Sequence, residues 1–341
     1  MDPFDKQLLS IIQRRFPVEP APYSRIAAEM GCTEQDVLSR ITDLKGERII
    51  RQISAIFDPP AVGYRTCLVA MSVQKEHVQR AVEILDREQG ISHNYLRDNN
   101  YNIWFTIAVP PGGDLWAETE RLSSAVSARS SLILPALKMY KIAVVMNFGE
   151  EEIEPEKECA AFAGGRRDEV GAIPPQGDID LIRCIQEDLP MTRRPFFTWA
   201  KSLLVEEEYL VDWIKSHLEN GTIRRFAALL RHRNVGFLAN AMVAWQCHEE
   251  LIDKCGNMVA SHPEITHCYQ RTPLPDWPYN LYAMVHGRDR TDCDRVVEAM
   301  SKYDGLSHCK VLYTIKELKK ERLKLFWGPI PSAEFGVRTA E

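Results

Sequence analysis

No stretch of this 341-residue chain holds the roughly 18 consecutive apolar residues that a membrane-spanning helix needs. Positive charge is not in excess either. Lys and Arg number 42 against 48 Asp and Glu, a net charge of −6. A global attraction to nucleic acid is therefore not expected, although a local basic patch is allowed. The nine cysteines are scattered and none forms a C-x-x-C pair, which removes the paired spacing that thiolate metal sites use. Their odd count, with no secretory apolar segment, points to reduced thiols and a cytoplasmic protein. What is present is ordinary for a soluble globular protein: 45% apolar and 26% charged residues. The length suits two or more domains.

The chain repeats itself. At one constant offset and without a gap, Leu8, Gln13, Pro17, Pro22, Ala27, Ile41, Ile50, Arg51, Val62 and Gly63 meet Leu181, Gln186, Pro190, Pro195, Ala200, Ile214, Ile223, Arg224, Val235 and Gly236. Further on, His93, Tyr95 and Arg97 meet His267, Tyr269 and Arg271 after one inserted residue, and Tyr101-Asn102 meets Tyr279-Asn280 after four more. Chance does not hold register over so many pairs, and the period is far too long for a solenoid. The chain reads as two homologous halves joined by Glu150–Asp178, a charged and then Gly/Pro-rich segment without periodicity.

Each half has the same plan. Apolar spacing predicts helices over residues 5–15 and 23–30 and a third with apolar positions Val37, Leu38, Ile41 and Leu44, with Gly31 ending the second and Thr33 capping the third. The run "IIRQISAIF" reads as a strand, which completes a winged helix-turn-helix. The rest of the half predicts strand, helix, a hairpin around "DNN", helix, strand: the βαββαβ order of a ferredoxin-like sandwich. The fold class is thus α+β, a tandem duplication. Boundaries fall at 1–58 and 59–149 for the first half, 150–177 for the linker, 178–231 and 232–327 for the second half, and 328–341 for a tail. The basic run "KELKKERLKLF" near the end is expected to form a helix.

A helix-turn-helix followed by βαββαβ resembles the AsnC/Lrp family of transcription regulators. The third helix nevertheless suits DNA poorly. "EQDVLSRITDLKGER" sets Glu34, Asp36, Asp43 and Glu47 against Arg40, Lys45 and Arg48, and the second copy opens with Glu206-Glu207-Glu208. Such residues favour the helix dipole and repel phosphates. Palindromic sites also want identical reading heads, not diverged ones. Specific DNA binding is not expected.

Alternate residues of a strand share a face. His93, Tyr95 and Arg97 therefore form one ladder, and His267, Tyr269 and Arg271 another. Across each hairpin, Tyr101 and Trp104, or Tyr279 and Tyr282, add aromatic surface. An imidazole, a phenol and a guanidinium on one aromatic-walled face suit a flat, anionic ligand. The plain alternative is an amphipathic strand with its polar face in water. Recurrence of the three residues in a diverged copy favours the ligand. His286 follows the Tyr279 strand and is a secondary candidate.

The segments "SHNYLRDNNYNIWFT" and "LPALKMYKI", with "THCYQR", "YNLYAMVHG" and "LYTIKELKKERLKLF", resemble the siroheme decarboxylases of haem d1 and alternative haem biosynthesis. The resemblance covers the chain outside the linker and matches the fused form of a two-subunit enzyme. It implies an intrachain pseudo-dimer, open to further homo-oligomers, and a siroheme substrate with four acetates and four propionates. It implies loss of CO2 from two acetates to give 12,18-didecarboxysiroheme. No cofactor is expected, because the macrocycle can serve as the electron sink and its iron is the substrate's own. In this reading His93 and His267 donate protons or orient carboxylates. Arg97 and Arg271 hold acetates or propionates, Tyr95, Tyr101, Tyr269 and Tyr279 bind carboxylates or flank the ring, and Arg51 and Arg224 approach the same cleft. Either histidine has an alternative role as an axial contact to the substrate iron. Two other functions compete: a haem- or tetrapyrrole-responsive AsnC/Lrp-type regulator, and a silent tetrapyrrole carrier.

Overall fold

A computed structural model of the chain describes residues 2–142, 171–230 and 239–327. The expected linker at 150–177 lies mostly outside the described residues, and the tail at 328–341 wholly so. Helix α1 (Pro3–Arg14) starts where Asp2 and Asp5 form a capping box, and α3 (Glu34–Gly46) where Thr33 and Asp36 do the same. Between them α2 (Pro22–Met30) stops at Gly31, which takes the left-handed φ of 67°. The second half repeats the set as α6 (Gln176–Ile185), α7 (Pro195–Leu203) and α8 (Glu207–Glu219). There the place of Gly31 is held by Leu204, exposed and at φ 57°.

One carboxylate anchors each triplet through a different donor. Asp5, fully buried, receives Arg40 Nη2 at 2.7 Å. Its counterpart Asp178 receives the indole Nε1 of Trp213 at 2.8 Å. Arg40 is thereby turned inward, Lys45 Nζ lies 2.8 Å from Asp188 of the other half, and Arg193 reaches across to Glu34 at 3.3 Å. Both cations of α3 are thus paired with carboxylates, Arg40 with Asp5 and Lys45 with Asp188. The wings β1 (Ile50–Phe57) and β7 (Ile223–Leu230) pair antiparallel, and one core unites both triplets, with Leu8, Tyr23 and Ile41 beside Leu181, Phe196 and Ile214.

The remaining strands form one nine-stranded sheet. They are β2 (Arg65–Ser72), β3 (Ile91–Arg97), β4 (Ile103–Val109), β5 (Ser130–Leu134) and β6 (Ala136–Ile142) from the first half, with β8 (Ala239–Trp245), β9 (Ile265–Arg271), β10 (Leu281–Gly287) and β11 (Cys309–Lys320) from the second. Their order is β5-β2-β4-β3-β11-β8-β10-β9-β6. Only Pro135 separates the two end strands, so the sheet closes on itself. Helices α4 (Val78–Arg87) and α5 (Leu115–Ala125), then α9 (Ile252–Ser261) and α10 (Arg290–Ser301), cover its outer face.

Closure rests on two strands that each serve both halves. β11 pairs with β8 of its own half over Cys309–Tyr313, then with β3 of the other half over Thr314–Lys320. β5 and β6 do the same with β2 and β9. The helix expected over "KELKKERLKLF" is thus corrected: Lys316–Lys320 is strand, and no helix follows it among the described residues. Lys, Glu and Leu favour helix in isolation, but here β3 offers open backbone partners, and pairing decides. The chain beyond β11 runs to the helix layer, where Arg322 Nη1 reaches Gln186 O at 2.7 Å and Leu325 exchanges hydrogen bonds with the Gln186 side chain. Recurring Asn102 and Asn280 clamp strand ends. Asn102 binds both backbone groups of Val73, and Asn280 both of Cys247.

A leucine at φ 57° carries left-handed strain that glycine avoids. Leu204→Gly should therefore stabilise the chain by about 0.5–1 kcal/mol. The check is the urea midpoint at unchanged m-value, and a midpoint that falls counts against the assignment.

Candidate active site

A β-bulge sets each ladder. In β3 the register slips between Ile91 and His93, and in β9 between Ile265 and His267. Ile91 and Ile265 face the helices, whereas the bulge re-aims each histidine to the interior of the closed sheet. His93, Tyr95 and Arg97 then share that interior with Leu68, Trp104, Leu132, Met242, Tyr282 and Leu312, a cluster drawn from both halves.

The ladders match closely. Histidine and tyrosine rings lie 6.5 Å apart in the first and 6.4 Å in the second, nearly parallel in both. Each arginine sits 5.1 Å from the centroid of its tyrosine. His and Tyr are half-buried, and Arg97 and Arg271 are buried at the bottom. Arg97 Nη1 donates to Leu312 O at 2.8 Å and Arg271 Nη1 to Leu134 O at 2.6 Å, so each guanidinium ties down the crossing strand beside it. Arg97 Nη2 also meets Met284 Sδ at 3.9 Å, and Met284 stands in register with His267. No carboxylate is paired with Arg97 among the described residues, and its Nε has no hydrogen-bond acceptor there. Burial lowers its pKa to about 10, which leaves it cationic at neutral pH.

Behind each imidazole stands a hydroxyl. Ser92 Oγ lies 2.9 Å from His93 Nδ1 and 3.0 Å from Thr106 Oγ1. Thr266 Oγ1 lies 2.8 Å from His267 Nδ1 and 2.9 Å from His286 Nε2. The secondary candidate His286 is therefore joined to His267 through one hydroxyl. Burial pushes His93 down to about 4, helped by the positive charges of Lys320 and Arg51 and opposed by Glu317. Arg51 thus lies within electrostatic reach of His93. Arg224 has another engagement, with Asp58 of the other half.

The expected Tyr101 and Tyr279 stand apart from the ladders. Both pack on Trp277, Tyr101 at 5.6 Å and Tyr279 at 4.8 Å between ring centroids. Trp277 comes from the longer second hairpin, donates its Nε1 to Tyr282 Oη at 2.8 Å, and rests 5.7 Å from Trp104.

Comparison with known proteins bears on these residues. A siroheme decarboxylase of Hydrogenobacter thermophilus is 33% identical over 95% of this chain and 95% of its own. The chain belongs to the siroheme decarboxylase family. The family's NirDL-like helix-turn-helix domain matches residues 5–51 and 178–224, and an AsnC-like ligand binding domain matches 61–141 and 234–319. A siroheme decarboxylase beta subunit of Methanosarcina barkeri is 40% identical over 43% of this chain and 97% of its own. The crystal structure of the siroheme decarboxylase NirDL superposes with a TM-score of 0.76 at 29% identity, covering 96% of this chain and 95% of that one.

The sequence does not show which residues of the flanking strands stand beside the ladders. Glu317 and Lys320 lie opposite Tyr95 and His93, whereas Met139 and Ile142 lie opposite Tyr269 and His267. The first pair went unseen because its strand reads as a helix. Ser92 and Thr266 were findable, since a hydroxyl residue precedes the histidine in both copies.

With a folded-state pKa of about 4 against an ordinary 6.5, His93 binds a proton less readily in the native protein than in the unfolded chain. Its contribution is complete above about pH 6.5 and is lost as pH falls through about 4. His93→Gln should flatten the acid loss of stability across that window, measured by urea unfolding at stepped pH. An unaltered profile would show that the imidazole is not held neutral.

Proposed function

We infer that this chain removes CO2 from two acetate side chains of siroheme to give 12,18-didecarboxysiroheme. The observation that carries this reading is the duplicated His-Tyr-Arg ladder, set inside a full-length siroheme decarboxylase fold. A flat macrocycle fits between aromatic walls, and its carboxylates meet buried guanidinium and imidazole groups. The solved relative NirDL in complex with an iron-uroporphyrin III analogue supports a tetrapyrrole ligand for this chain.

Loss of CO2 leaves an electron pair on the methylene, which the conjugated ring can spread, so the reaction draws on no further cofactor. A proton must then replace CO2. His93 and His267 are the groups of choice to donate it or to orient the carboxylates, each held by a hydroxyl at Nδ1, which directs Nε2 to the substrate. Arg97 and Arg271, with Tyr95 and Tyr269, anchor carboxylates and ring. Arg51 adds to the positive edge, Arg224 is held by Asp58, and Tyr101 and Tyr279 support the aromatic end. The inward-turned cations of the third helix argue against a DNA-reading regulator. We place the enzyme in the cytoplasm as an intrachain pseudo-dimer. The eight cysteines among the described residues are free thiols, and no helix there is long and apolar enough to cross a membrane.

Anaerobic incubation with siroheme should release two CO2 per substrate, read by mass spectrometry of the tetrapyrrole. Tight binding without mass loss would leave a carrier instead. His93→Ala or His267→Ala should abolish at least one decarboxylation without unfolding the protein, and full activity in both would refute the site.

A further inference from the structure

The ladders are equivalent, but what closes them is not. β11 sets Lys320 opposite His93 and Glu317 opposite Tyr95, and β6 sets Ile142 opposite His267 and Met139 opposite Tyr269. Residues directly opposite on neighbouring strands share a face, with Cβ atoms about 5 Å apart. Lys320 Nζ stands 3.8 Å from the Glu317 carboxylate, a loose pair with an exposed ammonium. Arg51 forms no hydrogen bond or ion pair among the described residues, whereas its counterpart Arg224 is neutralised by Asp58. Among the described residues the His93 side therefore presents two cations to an incoming anion, and the strand beside His267 and Tyr269 presents an aliphatic chain and a thioether.

The hydroxyls differ too. Ser92 leads from His93 to another hydroxyl, Thr106. Thr266 leads from His267 to a second imidazole, half-exposed His286.

We propose that the two walls divide the reaction: the His93 wall grips carboxylates that the product keeps, and the His267 wall is where CO2 departs and the proton arrives. This rests on the decarboxylase reading above. An ammonium or guanidinium beside a carboxylate stabilises its localised charge, and that stabilisation fades as the charge disperses into the ring. Interactions stronger in the ground state than in the transition state slow a reaction. An apolar flank does the opposite, because it removes water from the carboxylate that must break.

At the His267 wall the bond from methylene to carboxylate carbon breaks, CO2 leaves, and the electron pair stays on the methylene. His267 Nε2 delivers the proton of the new C–H bond. Thr266 passes its hydroxyl proton to His267 Nδ1 and takes one from His286 Nε2, so His267 does not become an anion. His286 is resupplied from water. The second acetate reaches the same wall after the macrocycle turns or rebinds.

The test uses the full chain with siroheme under anaerobic conditions. Kd comes from the Soret change and kcat from mass spectrometry at saturation. Ile142→Lys should cut kcat by about tenfold or more while siroheme binds as tightly as before. Lys320→Ile should weaken Kd by about tenfold with kcat at saturation within about twofold. Thr266→Val should lower kcat by about tenfold or more at constant Kd, and Thr266→Ser should restore it. The threonine pair decides the matter where Ile142→Lys does not fold. A wild-type kcat in Thr266→Val, or a Lys320→Ile variant that loses kcat and not affinity, would overturn the division. A wild-type chain that binds siroheme and never releases CO2 would sink the decarboxylase reading itself.

Discussion

Everything in this fold depends on two strands that change partners midway. β11 leaves β8 for β3 after Tyr313, and the β5–β6 run leaves β2 for β9 at Pro135. Without the exchange, β3 and β9 would be bare sheet edges with open N–H and C=O groups, which fold poorly and aggregate readily. With it each inner edge has a partner, β3 along β11 and β9 along β6. The proline suits the switch, since it has no N–H to place in either ladder. Arg97 and Arg271 secure the same crossings from inside by binding the carbonyls of Leu312 and Leu134. The residues that give the interior its positive charge thus also hold its walls in place.

That shared duty bears on chemistry. A guanidinium already held at Nη1 has lost much of its freedom, so little order remains to be imposed when a carboxylate arrives. The stack of histidine, tyrosine and arginine repeats within 0.1 Å between the copies, although the surrounding residues have diverged. The variable part is the crossing strand, which lies in register beside the ladder and sets its electrostatic character.

Much of this was legible in the sequence. The ungapped pairing of Leu8 with Leu181 through Gly63 with Gly236 revealed the duplication, and period-two spacing put His93, Tyr95 and Arg97 on one face. The family resemblance of "SHNYLRDNNYNIWFT" led to the same reading. What stayed hidden depends on distant partners. Lys316–Lys320 carries helix-forming residues, and only the open edge of β3 draws it into a sheet. The recurring Asn102 and Asn280 carried no reading in the sequence, and they clamp backbone, while Tyr101 and Tyr279 beside them pack on Trp277. Recurrence in a duplicated chain marks a constraint without saying whether it serves substrate or fold. Trp213 in place of Arg40 teaches the converse, because the anchoring carboxylate persisted while its donor changed chemical class.

Strand exchange also has a consequence for inheritance. Each ladder is finished by a strand encoded in the opposite half, so neither half alone specifies a complete pocket. Two copies of the first half would flank both histidines with Met139 and Ile142, and two copies of the second would flank both with Glu317 and Lys320. Only the mixed pair has one wall of each kind. Carrying both halves on one polypeptide fixes their ratio at synthesis and places the correct partner at high effective concentration. Selection can then drift the two walls apart without the risk that like halves assemble together.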